Sequence, residues 1–212
     1  MRLWDWLRGI SRRVRSGRCC RKSRTRPRSA PFLELLETRS LPSAVSFTGD
    51  LQTPGVLLIE LNESATSTLT VGSADGSSSA VVRVTINGSA SSIRQDSSEQ
   101  ILVNLPVALV ARIVVVGDQR ANVVDLSGVT SRFGLQQDAA VGDQHPVPAT
   151  LDELKSLTAP SYFGVIVTTS GGDDRVTGSL FRDWVDAGAG DDTVIGGTGE
   201  DRLDGGDRKS GV

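Results

Sequence analysis

The chain has 212 residues, with 23 lysines and arginines, 25 aspartates and glutamates, and a formal net charge of −2. Aromatic residues make up only 4% of it and glycine is abundant at 23 residues, so we expect a thin aliphatic core and turn-rich β structure. A single histidine excludes the zinc sites that need two or more. Because there is no run of about 18 apolar residues, we expect no transmembrane helix.

The charge is divided unevenly along the chain. Residues 1–30 hold ten arginines and Lys22 against one acid, Asp5, whereas residues 31–212 hold 12 basic and 24 acidic residues. Such an arm cannot bury enough apolar surface to fold, so we predict that it is disordered. We interpret it as an export or targeting leader, with a solvated tail and a nucleic-acid-binding arm as the alternatives. Salt-dependent retention on DNA, lost on deleting residues 1–30, would favour the last.

A short motif at the end of the arm supports the leader. Residues 36–44, LETRSLPSA, resemble the bacterial LEPR-XLL element, roughly L-E-x-R-x-L-L-S-A, which follows an arginine-rich stretch in large exported or surface proteins. The chain departs from that pattern at Thr38 and Pro42. The resemblance implies that residues 1–44 engage export machinery. Cys19 and Cys20 are adjacent, a spacing that disfavours a disulfide between them, and we interpret them as unstructured thiols.

Residues 45–135 alternate short apolar runs with polar turns, which predicts a β-rich region. Clusters of Gly, Ser, Asp and Asn separate the runs, which lie at 55–61, 67–72, 81–88, 101–105 and 111–117. The sequence IVVV at 113–116 does not alternate and predicts a strand that is buried on both faces. Asn87 and Gly88 predict a turn between strands.

Residues 136–168 are predicted to form an insert with one short helix and a strand. Thr150 and Glu153 have the spacing of a capping box, and leucines follow on one helical face. We therefore predict a helix near 150–158, ended by Pro160. His145 lies in the preceding loop and is predicted to be exposed, without a chemical role.

The segment 169–212 repeats with a period of nine residues. Its units are TSGGDDRVT (169–177), GSLFRDWVD (178–186), AGAGDDTVI (187–195), GGTGEDRLD (196–204) and an incomplete fifth that begins at Gly205. The sixth position is always aspartate: Asp174, Asp183, Asp192 and Asp201. The eighth position is always aliphatic: Val176, Val185, Val194 and Leu203. These units resemble the RTX, or hemolysin-type, calcium-binding nonapeptide G-G-x-G-x-D-x-U-x, and GGTGEDRLD matches it at every specified position.

The resemblance implies a parallel β-roll that takes calcium as its cofactor and folds when the ion binds. In that family, turns alternate between two sides of the roll, so an ion lies between units two apart. Asp174 would pair with Asp192, and Asp183 with Asp201. Further ligands would be backbone carbonyl groups of turn glycines: Gly188, Gly190, Gly197 and Gly199. Phe181 replaces the fourth-position glycine and makes its turn the weakest candidate. The remaining acids are expected to line the surface: Asp186, Asp191, Glu200 and Asp204.

A weaker echo of the repeat occurs upstream. The stretch GDQRANVVD (117–125) has Gly117 first, Asn122 sixth and Val124 eighth. Its offset from Thr169 is 52 residues, which is not a multiple of nine, so we expect the insert to interrupt any common register. We interpret this stretch as a degenerate coil and predict no calcium there.

These patterns predict an all-β protein: a disordered basic leader (1–44), a solenoid-like β-rich middle (45–135), the insert (136–168) and a short parallel β-roll (169–212) that is apparently truncated. The motifs contain no paired nucleophile and base, so we expect a protein that is not an enzyme. We expect it to be secreted to the extracellular region or cell surface and to contact calcium and cell-surface components as a surface or adhesion scaffold, without nucleic acid. The alternatives are nucleic-acid binding through residues 1–30 and a degenerate fragment of a larger surface protein with no activity of its own.

Overall fold

The described residues form fourteen short β-strands and very little helix, as the all-β prediction requires. The computed structural model describes residues 43–62, 66–75, 80–139, 145–146, 148, 150–158 and 161–206. Residues 1–42, which hold both cysteines and all but the last two residues of the predicted leader motif, and the part of the incomplete fifth repeat beyond residue 206 lie outside the described residues. All described residues belong to one unit, Arg39–Val212.

The strands precede and follow a single described α-helix. In chain order they are β1 (Ala44–Phe47), β2 (Gly55–Glu60), β3 (Ser67–Asp75), β4 (Ala80–Ile86), β5 (Ser89–Ala90), β6 (Ile93–Gln95), β7 (Ile101–Leu102), β8 (Val110–Val116), β9 (Asn122–Asp125), β10 (Val165–Thr168), β11 (Arg175–Thr177), β12 (Asp183–Asp186), β13 (Thr193–Ile195) and β14 (Arg202–Asp204). The helix is α1 (Leu151–Leu154), and a 3₁₀ turn covers Val107–Leu109.

Parallel coils build most of the molecule. From β8 onward the chain alternates between an eight-stranded sheet, in the order β14-β12-β10-β8-β2-β1-β6-β7, and a six-stranded sheet, in the order β13-β11-β9-β3-β4-β5. Neighbouring strands from β8 to β14 are parallel within each sheet. The parallel pairs β2–β8 and β3–β9 add one coil before them. The middle and the repeats therefore form one continuous roll.

Antiparallel strands close the other end of the two sheets. β1 pairs with β2, and β4 pairs with β3, in antiparallel register. The turn between β4 and β5 contains Asn87 at φ 51° and Gly88 at φ 76°. Two consecutive positive φ angles are what a two-residue hairpin turn requires, and the predicted turn is confirmed.

Apolar clusters lie on both faces of the eight-stranded sheet. Ile113 and Val115 of β8 are fully buried in the cluster between the sheets, while Val114 is buried in a second cluster on the outer face. Tyr162 and Phe163 of the insert cover that outer face. The prediction that this strand is buried on both sides is thus confirmed, because the insert replaces solvent on its second side.

The predicted helix is present but shorter than expected. Thr150 and Glu153 exchange reciprocal side-chain-to-backbone hydrogen bonds of 3.2 Å, which is the predicted capping box. The helix ends at Leu154, and the carbonyl of Ser156 accepts a 2.9 Å hydrogen bond from Nη1 of Arg112, which is 3% exposed. The prediction that it reaches residue 158 is wrong, because this tertiary contact holds the chain in a turn. No helix in the described part of the chain has the length and hydropathy needed to cross a membrane.

The insert does not disturb the register of the roll. Val124 of β9 faces Val176 of β11, and Val123 faces Arg175, although 52 residues separate the partners. The expectation that residues 136–160 interrupt a common register is wrong for the folded chain. The insert leaves after β9, packs outside the eight-stranded sheet and returns at β10, so the strands on either side of it remain neighbours.

Candidate metal centre

The acidic turns of the repeats lie along two edges of the roll. Turns 117–122, 169–174 and 187–192 lead from the eight-stranded to the six-stranded sheet and form what we call the first edge. Turns 178–183 and 196–201 lead back and form the second edge. Units two apart are therefore stacked on the same edge.

On the first edge the structure brings Asp174 and Asp192 together. The backbone N–H of Asp174 donates a 2.8 Å hydrogen bond to Oδ1 of Asp192. Both side chains are buried, at 2% and 3% exposure. Oδ2 of Asp174 accepts no hydrogen bond from the described residues. A buried carboxylate oxygen of this kind is costly unless a cation or a donor reaches it.

On the second edge Asp183 and Asp201 are arranged in the same way, but Ser179 adds hydrogen bonds to Asp183. The N–H of Asp183 donates to Oδ1 of Asp201 at 3.0 Å. The carboxylate of Asp183 is fully buried and accepts the backbone N–H of Ser179 at 2.5 Å and its hydroxyl at 2.6 Å. Both oxygens of Asp183 thus accept hydrogen bonds from Ser179, whereas Oδ2 of Asp174 has no donor within hydrogen-bond distance among the described residues.

The predicted turn glycines place one coil directly against the carbonyl groups of the next. Gly188, Gly190, Gly197 and Gly199 all have positive φ, between 80° and 145°. A methyl group on Gly188 would lie 2.6 Å from the carbonyl oxygen of Ser170. At the other three positions the nearest atom is likewise a carbonyl oxygen of the preceding coil on that edge. Only glycine permits this backbone path and this close stacking.

Oxygen atoms alone make up this donor set. Among the described residues, no group of three or more His, Cys, Asp and Glu side chains converges on one point. A cation on either edge would therefore be held by paired aspartates together with backbone carbonyl groups. Calcium is a hard ion that takes six to eight oxygens from carboxylates and carbonyls, so the residues present fit it.

Burial sets the protonation of the inner aspartates. Burial is the largest cause that raises the pKa of Asp183 to about 7; the charge of Asp201 acts in the same direction and the hydrogen bonds from Ser179 oppose it. Burial also raises the pKa of Asp174 above its ordinary value, and the charge of Asp192 acts in the same direction. Without a cation the folded protein thus holds carboxylates that resist ionisation.

The side chain at the eighth position of each unit is buried only where a further coil covers it. Val176 and Val185 are fully buried, and Val194 is partly buried against the same cluster. Leu203 is 41% exposed, because β14 is the outermost described strand of its sheet. Of the acids expected at the surface, Asp191, Glu200 and Asp204 are exposed and Asp186 is partly so.

Some residues of the edges were not identified from the sequence. Ser179 occupies a glycine position of the repeat, and only its contact with Asp183 reveals its part in the turn. Glu200 accepts a hydrogen bond from the hydroxyl of Tyr162, which also packs under the guanidinium of Arg182 at 4.0 Å. Asn122 carried a usable signal, because it stands sixth in the upstream echo of the repeat.

The fold and these two edges define a parallel β-roll with stacked acidic, glycine-rich turns. Residues 168–203 match the family model of the RTX calcium-binding nonapeptide repeat, in four copies. These repeats bind calcium, so calcium is the ligand of this segment. Proteins with RTX repeats are generally secreted, and the repeats are typically non-catalytic. Comparisons with curated proteins and with solved structures gave no significant match.

The turn glycines can be tested with a matched pair of substitutions. We expect Gly188→Ala to lower the free energy of unfolding by roughly 1–3 kcal/mol, because alanine at φ +80° is strained and its methyl group meets Ser170 and Thr169 carbonyls. Gly205→Ala is the control, since nothing lies within 4 Å of its added methyl group. Denaturant unfolding of both variants measures the difference. Equal stability of the two would contradict the stacked-turn geometry.

The raised pKa values predict an unusual pH dependence. Asp183 has a pKa of about 7 in the folded chain against an ordinary 3.8, so the folded state binds the proton more tightly. The resulting stabilisation of the folded state is complete below the unfolded pKa of 3.8 and is lost as the pH rises through the folded pKa of about 7. Calcium-free protein should therefore melt at a higher temperature near pH 5 than near pH 8. Asp183→Asn should flatten this dependence, and a midpoint that falls on acidification would refute the assignment.

Proposed function

We propose that this protein is exported and that its roll folds on binding calcium outside the cell, where it acts as a non-enzymatic surface or adhesion scaffold. The observation that carries the calcium part is the buried pair Asp174 and Asp192, one of whose oxygens has no donor. The proposed ligands on the first edge are these two carboxylates and the carbonyl groups of Gly188 and Gly190. On the second edge they are Asp183, Asp201 and the carbonyl groups of Gly197 and Gly199.

The electrostatics of the stack support folding that depends on the ion. The backbone N–H of Asp174 contacts the carboxylate of Asp192, and that of Asp183 contacts the carboxylate of Asp201, so aspartates two units apart lie against each other. Burying two facing carboxylates costs free energy that the thin apolar core has to offset. Bound calcium supplies the opposite charge and additional coordination to oxygen. The free energy of binding then becomes free energy of folding.

The first edge is the stronger of the two candidates. In its turn 187–192 both glycines at the second and fourth positions have positive φ, and Gly172 in turn 169–174 does as well. On the second edge, turn 178–183 has Ser179 and Phe181 at those positions, and Ser179 already satisfies Asp183. We therefore expect the first edge to bind calcium more tightly.

An extracellular setting matches the affinity expected of such a site. Extracellular calcium modules bind at roughly 10⁻⁴–10⁻³ M, so a site in that range stays empty in a low-calcium cytoplasm and fills outside. The coils that depend on calcium would pass through export unfolded and would fold after release. A roll of repeated turns is a rigid, extended surface, which suits a scaffold; this wider role rests on analogy with other proteins that contain such repeats.

Calcium titration of the full chain tests the folding proposal. We expect far-UV circular dichroism to show a gain of β signal between calcium-free buffer and millimolar calcium, and calorimetry to show binding heat. Asp192→Ala should weaken binding roughly tenfold or more, because it removes one charged ligand. Asp191→Ala is the matched control, since it removes the same charge from an exposed neighbouring position. An unchanged spectrum without binding heat would exclude the calcium switch.

Deletion of residues 1–44 tests the export part separately. The full chain and the shortened chain would be expressed in a bacterium that exports proteins with this leader element, and both would be sought in the cell and in the medium. We expect only the full chain outside the cell or on its surface, because the basic leader is the proposed export element. Equal release of both chains would remove the leader from the proposal.

A further inference from the structure

Asn122 occupies the sixth position of a coil that lies outside the matched repeats. It is fully buried at the start of β9, directly before the pair of Val123 with Arg175. Its backbone N–H donates a 2.6 Å hydrogen bond to Oδ1 of Asp174. Asp174 makes the same contact to Asp192 one coil further along, at 2.8 Å. The first edge thus continues upstream as a ladder of three residues and two steps, from Asn122 to Asp174 and from Asp174 to Asp192.

The side-chain amide makes two contacts that are characteristic of this step alone. Nδ2 of Asn122 donates at 2.6 Å to the carbonyl oxygen of Arg120 in its own turn and at 3.2 Å to Oδ1 of Asp174 in the next coil. It therefore joins a turn carbonyl to a carboxylate of the adjacent coil. Those are the two kinds of oxygen that the proposed calcium ion would join one step further along.

The turn beneath Asn122 lacks the backbone of a calcium turn. Asp118 and Arg120 stand where the repeat has its second and fourth glycines, and neither is among the described residues with positive φ. The side chains of these two residues form an ion pair at 3.1 Å. Neither residue supplies the positive-φ backbone that Gly188 and Gly190 give to their turn.

We propose that the amide of Asn122 takes the place of a calcium ion at the first step of the ladder. The amide hydrogens carry the positive charge density that bridges the two oxygens. The coil made by β8 and β9 then docks on the coil made by β10 and β11 without calcium. The roll is then divided into a platform that docks without calcium and a calcium-dependent end that begins with Asp192. The calcium dependence of that end rests on the proposed function.

The geometry also shows what an aspartate would do at this position. Oδ1 of Asn122 is buried and accepts no hydrogen bond from the described residues, and the same holds for Oδ2 of Asp174. Asn122→Asp would remove the bridging amide and set a second buried carboxylate beside the first. Like charges at this distance disfavour docking until a cation neutralises them.

Hydrogen exchange of the full-length protein measures the docking of each coil. In calcium-free wild type we expect amides of residues 110–125 to be protected and those of 187–204 to exchange rapidly. Asn122→Ala should accelerate exchange across 117–125 about tenfold or more, with or without calcium, because two buried hydrogen bonds are lost. Unchanged exchange in this variant would overturn the proposal.

Asn122→Asp provides the second, calcium-linked readout. We expect it to lose protection at 117–125 in calcium-free buffer and to regain it in millimolar calcium, with one more bound ion by equilibrium dialysis. Gln119→Glu, which adds the same charge at an exposed position of the same turn, should behave as wild type. An Asn122→Asp chain that stays protected without calcium would overturn the proposal. If wild type binds no calcium but Asn122→Ala still loses protection, the calcium function fails while the role of the amide stands.

Discussion

The roll depends on how the buried carboxylates at its edges are compensated. Each coil donates a backbone N–H from its sixth position to the aspartate of the next coil on the same edge, as Asp174 does to Asp192 and Asp183 to Asp201. This contact aligns the coils, but it desolvates a carboxylate at every step. The apolar interior between the sheets is made mostly of valine, leucine and isoleucine side chains, and its burial has to offset the desolvation of the carboxylates at the edges.

Three kinds of compensation occur at these edges. At Asp183 the turn supplies its own donors through Ser179. At Asn122 an amide replaces the charged group altogether. At Asp174 an oxygen stays without a donor among the described residues, and this is the step where the glycine turns that fit calcium begin. Along the first edge the need for a cation thus begins at Asp174, after the step that the amide of Asn122 compensates.

The insert shows why a repeat architecture tolerates interruption. A long excursion between β9 and β10 adds only a slowly growing entropy of loop closure, while the strands on both sides keep their parallel partners. The insert is held on the outer face through Phe163 and through Arg112, whose guanidinium reaches the carbonyl of Ser156. The hydroxyl of Tyr162 also donates a hydrogen bond to Glu200, so the insert contacts the acidic turn 196–201 on the second edge.

The sequence by itself determined the strands, the nine-residue repeat, the calcium-binding class of that segment and the spacing that sets Asp174 opposite Asp192. The strands and the nine-residue period follow from local sequence, because each strand and each glycine turn is encoded by consecutive residues. The calcium class and the eighteen-residue pairing follow from the resemblance to the RTX nonapeptide. Only the tertiary structure decided that the stretch at Asn122 joins the same ladder and that Ser179 satisfies Asp183. The first depends on which coils become neighbours across the insert, a relation between distant residues that no period in the chain encodes. The second depends on the conformation of a turn in which serine replaces the repeat glycine. The early end of α1 has the same origin, in a contact from the buried Arg112.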